Sequence, residues 1–130
     1  MSDQNMKSDD LVILKKNIRM GTMPNSPLIL KNYLEIPAKA NSTLVEKRAH
    51  YEEKFRLLID TIADDCVVGH WRCLCLDHIN MPLRTLQSLS NTPNSRRYVT
   101  GLYTELRAIS NYFQVSMTYH PNQTFSGEQN

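Results

Sequence analysis

The sequence predicts a mainly helical α+β domain, a winged helix-turn-helix preceded by an N-terminal helical arm. Three observations predict it. Residues 80–90 hold Leu83, Leu86 and Leu89 at helical spacing, opened by Asn80-Met81-Pro82. Ser90-Asn91-Thr92-Pro93-Asn94 follows, a run in which every residue disfavours continuing a helix. Val99, Leu102, Leu106, Ile109 and Phe113 then recur at three-and-four spacing and mark a helix over 95–113. Beyond it, Val115, Met117 and Tyr119 alternate with Gln114, Ser116, Thr118 and His120, the period of a half-buried strand.

The remaining elements follow in chain order. Residues 1–42 read as the arm, with a polar start at 1–8. Ser8-Asp9-Asp10 opens a helix to about Met20, with acids first, Lys15, Lys16 and Arg19 late, and Gly21 after the end. Ser26-Pro27 opens a short segment, 28–36, closed by Pro37; a proline at the first helical position suits a helix, while a strand pair is the alternative. The winged domain proper spans 43–122. Thr43 with Glu46 forms a capping box for a long helix to about Asp65, whose apolar stripe includes Leu44, Tyr51, Phe55, Leu58, Ile59 and Ile62. In residues 66–76, Val67, Val68 and the Cys/Leu alternation predict a strand with Trp71, Cys73 and Cys75 on one face. Residues 123–130 form a polar tail.

Charge is informative by place rather than by total. The formal net charge of the 130 residues is +2. Residues 1–65 hold ten Lys/Arg and ten Asp/Glu, whereas 84–112 hold four Arg against Glu105 alone, a local excess of +3. A positive patch on a neutral body suits specific docking better than bulk coating of nucleic acid. No apolar run approaches the ~20 residues that span a bilayer, and residues 1–10 lack the basic and apolar regions of a secretory signal. Three cysteines, an odd number, fit a reduced cytoplasmic setting.

The helix over 95–113, with Asn94 or Ser95 capping its first turn, carries the candidate site. Opposite its apolar stripe lie Arg97, Thr100, Gly101, Thr104, Ala108 and Asn111, flanked by Arg96 and Arg107. Arginine bridges a guanine edge or a phosphate, threonine bonds phosphate or touches a thymine methyl, and small residues permit close approach. The DNA-contacting set is therefore Arg84, Ser95, Arg96, Arg97, Thr100, Thr104 and Arg107. An ordinary solvated helix face would look the same in pattern.

A rival site is the crowding of Cys66, His70, Cys73, Cys75 and His78 within thirteen residues. Thiolate and imidazole are zinc's preferred ligands. Yet no C-x-x-C knuckle is present, and free cysteine commonly behaves as a small buried hydrophobe. His50 and His120 stand apart as surface residues. Catalysis has little to build on. Asp64-Asp65 and Glu52-Glu53 are sequence neighbours whose side chains diverge by about a hundred degrees on a helix. No glycine-rich phosphate loop occurs, and the Cys73/His78 pair lacks an orienting acid. Neither an enzyme nor a cofactor is expected.

The run SRRYVTGLYTELRAISNYFQVSMTYHPN within 94–122, a basic helix rich in Thr and Tyr passing into an alternating strand, resembles the CaiF/GrlA family of enterobacterial transcriptional regulators. Residues 57–71, a helix leading to a Trp-bearing strand, are similar to that family's first helix; the likeness covers about 53–122. It implies a DNA-binding winged helix that switches an operon or virulence locus, with Arg96, Arg97, Thr100 and Thr104 in the groove.

Two functions follow. The first is a bacterial regulator of transcription that binds double-stranded DNA as a homodimer, the helix 95–113 reading the major groove and residues 9–36 supplying the dimer contact. The second is a small phage- or plasmid-type module that binds and modulates a host regulatory protein, with Tyr98, Tyr103 and Tyr112 as interface anchors.

Overall fold

A computed structural model describes residues 8–119 of the chain. They form six helices: α1 (Ser8–Met20), α2 (Pro27–Leu34), α3 (Leu44–Ile62), α4 (Gly69–His78), α5 (Asn80–Ser88) and α6 (Pro93–Tyr119). No strand occurs among the described residues. The α+β winged helix-turn-helix is therefore corrected to an all-helical fold. Among the described residues there is no β-hairpin to serve as a wing.

Residues 69–76 and 114–119 of the two expected strands are helix, and the same ambiguity misleads in each. Positions 71 and 75 satisfy a period of two and a helical step of four alike. Position 73 separates them: Trp71 and Cys75 are fully buried, while Cys73 is exposed. Phe113 and Met117 likewise face the core one helical step apart, with Val115 between them 53% exposed. The segment 114–119 thus continues α6, and His120 lies outside the described residues.

The helix ends follow local chemistry. Thr43 Oγ1 accepts the Glu46 amide at 3.1 Å while the Glu46 carboxylate accepts the Thr43 amide at 2.8 Å, the capping box in full. Pro27 occupies the first turn of α2. Thr92, rather than Asn94 or Ser95, caps α6. Its Oγ1 accepts the Ser95 amide at 3.0 Å, Ser95 Oγ accepts the Thr92 amide at 2.9 Å, and Pro93 opens the helix. α4 and α5 are joined by Ile79 alone. Pro82, lacking an N–H, removes the hydrogen bond that would have run back to His78, so the two helices break there.

α1 stops at Gly21, the single described glycine with positive φ, +64°. The Gly21 amide donates to Ile18 O at 3.2 Å and the Thr22 amide to Asn17 O at 3.1 Å, a Schellman ending. The close turn brings the chain against Trp71, whose indole Nε1 donates to Ile18 O at 2.8 Å. A Cβ on Gly21 would stand 2.7 Å from Val67 Cγ1 and 3.1 Å from Trp71 Cδ1. α1 and α2 place Ile18, Leu30, Tyr33 and Leu34 in the same core as Phe55, Leu58, Ile62, Trp71 and Leu83. They pack as part of the single body.

α3 is the axis on which α1, α4, α5 and α6 all pack. Polar cross-links fix the direction of its neighbours. Arg48 donates to Leu89 O and Asn91 Oδ1 (2.9 and 2.8 Å), Tyr98 to Glu52, Arg56 to Glu105, and Tyr112 to Asp65 (2.6 Å). Glu52 with Tyr98 and Arg56 with Glu105 advance together along both helices, so α6 runs in the same direction as α3. The Asp64-Asp65 acids just beyond the end of α3 are a tie-point. Asp64 accepts Arg19 at 2.7 Å and the Cys66 amide at 2.8 Å, and these bonds hold its carboxyl below the usual carboxylate range. Asp65 accepts the buried Arg72, whose Nε also donates to Ile62 O at 2.8 Å and whose guanidinium lies 4.7 Å from the Phe113 ring centroid.

Candidate nucleic-acid interface

Successive residues of α6 turn by a hundred degrees, which sorts its side chains into four sides. Val99, Leu102 and Phe113 are buried. Tyr98, Glu105 and Tyr112, seven residues apart, form the flank tied to α3 and to Asp65 just beyond its end. Tyr103, whose hydroxyl donates to Gln87 at 3.0 Å, forms the flank toward α5. Arg97, Thr100, Gly101, Thr104, Ala108 and Asn111 face solvent, as their spacing predicts.

Of the seven residues expected to contact DNA, Arg84, Arg96, Arg97, Thr100, Thr104 and Arg107 are exposed, and Ser95 is half-buried in the cap. Elsewhere the protein commits its arginines: Arg19, Arg56 and Arg72 each meet a carboxylate, and Arg48 is bonded to Leu89 O and Asn91 Oδ1. Among the described residues none of Arg84, Arg96, Arg97 and Arg107 does so; Arg97 leans on the neutral Asn94 Oδ1 at 3.0 Å. Their one acidic neighbour in sequence, Glu105, is turned to the other flank and neutralised by Arg56. The face is thus more positive than the sequence tally implies. The threonines are less free than expected, because Thr100 Oγ1 donates to Arg96 O at 3.0 Å and Thr104 Oγ1 to Thr100 O at 3.1 Å. Each hydroxyl keeps its lone pairs for an external donor but has spent its proton.

The structure adds a feature that spacing could not reveal. Between α5 and α6 lies a notch of about 330 Å³, lined by Gln87, Ser90, Arg96, Val99, Thr100 and Tyr103. Its walls come from two helices whose crossing is a tertiary property. The helical step from Arg96 through Val99 and Thr100 to Tyr103 was visible, but not what it faced.

The zinc candidates disperse once α4 is a helix. Cys75 is buried, which pushes its thiol up to about 12, while Cys66, His70 and Cys73 are exposed and His78 Nδ1 sits 2.9 Å from Leu74 O. Among the described residues no three His, Cys, Asp or Glu side chains are grouped to hold a metal ion. His50 is not a free surface residue; it is half-buried with Nε2 2.9 Å from Ile36 O, and burial lowers its pKa.

Lys54 was also missed. It is only 2% exposed, its ammonium donates to Leu34 O at 3.0 Å and to Ile36 O, and the rings of Tyr33 and Tyr51 lie 5.7 and 5.3 Å away. It acts as a clamp on the C-terminus of α2, where orphan carbonyls attract a cation. No described helix is long and apolar enough to cross a membrane. Compared with family models, with curated proteins and with solved structures, the chain matches none.

Proposed function

We propose that the protein is a DNA-binding regulator of transcription that docks the outer face of α6 on duplex DNA. The observation that carries this reading is the set of four exposed arginines on α5 and α6 with no carboxylate partner among the described residues. Free guanidinium groups leave phosphates as their natural partners, and phosphate contacts supply most of non-specific affinity. Arg97, Thr100 and Thr104 are the groove-facing residues; Arg84, Arg96 and Arg107 flank them for the backbone. Docking relies on α5 and α6 without a wing, so the reading stands on this face and not on the family resemblance. One helix gives limited affinity, and the active form is a cytoplasmic homodimer on a repeated site. The exposed Val12 and Ile13 of α1 are its candidate contact.

The protein-module alternative would use Tyr98, Tyr103 and Tyr112; their hydroxyls are bonded within the chain, while the rings of Tyr98 and Tyr112 stay 47% and 46% exposed. The test is a titration of purified protein against random duplex DNA across salt, beside Arg96→Glu/Arg97→Glu. Salt-sensitive binding that drops at least tenfold in the variant is expected. Absence of binding at low salt would overturn the proposal and turn attention to a protein partner.

A further inference from the structure

We infer that the notch between α5 and α6 receives a single unpaired nucleobase, so that the protein prefers DNA whose strands are locally open. The inference rests on the proposed docking of α6 and names what that docking recognises. Its size, its lining and its polar groups agree with it. At about 330 Å³ it lies at the low end of the ~300–1,000 Å³ range of small-ligand pockets, room for one flat ring system. Val99 and Tyr103 give it an apolar and aromatic lining, and base–aromatic stacking tolerates any base.

Its polar groups are placed for a base with its phosphate. Gln87 accepts the Tyr103 hydroxyl on Oε1, which leaves its amide N–H groups free, and an amide pairs well with a base edge. Ser90 spends its proton on Gln87 O at 2.7 Å and presents oxygen lone pairs. Arg96 stands at the rim, exposed and without a carboxylate partner among the described residues, where the phosphate of an entering nucleotide would sit. Farther along the same flank, eleven residues or about 16 Å on, Arg107 is also exposed and can hold the continuing strand.

A base enters such a notch only by leaving its stack. In a closed duplex that costs unstacking and unpairing, whereas in an open region the cost is already met. Preference for open DNA is the direct consequence.

The experiment compares the full chain binding a closed duplex with the same duplex carrying a short central bubble, at one salt concentration. Wild type, Tyr103→Leu and Gln87→Ala are measured together, and circular dichroism confirms that the variants are folded. An adenine-like fluorescent base in the bubble reports stacking. The expected result is about tenfold tighter binding to the bubble, with quenching of the fluorescent base. In Tyr103→Leu the ratio of the two affinities falls to about one and the quenching is lost. Equal wild-type affinity for both DNAs, or a preference that survives both variants, overturns the notch while leaving duplex docking in place. Binding to the bubble alone supports the notch and overturns duplex docking. Binding to neither overturns both.

Discussion

Lys54 offers the sharpest energetic test of the packing. Its burial among α2, Tyr33 and Tyr51 lowers its pKa from the ordinary 10.5 to about 8. Desolvation is the main cause; the Glu53 carboxylate, nearby on α3, pulls the other way. The folded state therefore holds this proton more weakly than the unfolded chain. Between about pH 8 and 10.5 the unfolded state binds the extra proton, so this group's contribution to stability rises with pH across that window and is flat below it. At 1.36 kcal/mol per pH unit the full development is ~3 kcal/mol. Other groups act oppositely. The Cys75 thiol, held up to about 12, and the Tyr33 phenol, raised by burial, make stability fall once their unfolded counterparts ionise at higher pH. A wild-type curve alone would mix these effects. Lys54→Met isolates the one. The variant keeps the buried stem but leaves Leu34 O without its side-chain donor and Ile36 O with His50 Nε2 alone beside it, which costs ~1–3 kcal/mol near pH 7. Urea unfolding of both proteins from pH 7 to 10.5 gives the difference directly. Wild type should gain on the variant by up to ~3 kcal/mol above pH 8. Parallel curves over that range would show that Lys54 keeps its ordinary pKa and would refute the desolvation argument.

Further outcomes follow from the helix ends and the thiols. Gly21→Ala places a Cβ against Val67 and Trp71 at a positive φ, and should cost ~2–3 kcal/mol in chemical denaturation; a neutral result would mean that the turn after α1 readily rearranges. Thr92→Ala removes the α6 cap and should cost ~1 kcal/mol, with no change in the slope of unfolding against urea. A thiol reagent should label Cys66 and Cys73 in the native protein and spare Cys75 until it unfolds, as mass spectrometry of digested protein will show.

Helix positions were largely legible because their signals are local. The capping box at Thr43 and Glu46, Pro27 at a first turn and Gly21 after a last one each act within a few residues, and each is realised. The two strands failed where local signals run out. Over five residues such as 71–75 or 113–117, alternation and a helical step share their end positions, and only the middle side chain distinguishes them. Neither Cys73 nor Val115 announces its exposure, since both are apolar enough to be core. The 27 residues of α6 also exceed an ordinary recognition helix, and its continuation past Phe113 is set by packing of Met117 rather than by any stop signal. Lys54 was invisible for the same reason: a lysine in an amphipathic helix reads as solvated until the end of another helix is known to need it.

The candidate site divides along the same line. Which α6 residues face solvent follows from one helix's geometry, so the arginine and threonine face could be written down from spacing. What those residues are free to do depends on the partners of the rest. Arg56 removes Glu105 from the electrostatics of the face, and the back-bonded threonines become acceptors only. The face is accordingly better suited to gripping phosphate through its arginines than to reading base edges through its hydroxyls. Sequence discrimination, if α6 alone supplied it, would fall on Arg97. The notch beside Arg96 is different in kind: it combines donor, acceptor and aromatic groups in one concave place, contributed by α5, the turn after it and α6, which only the folded chain brings together.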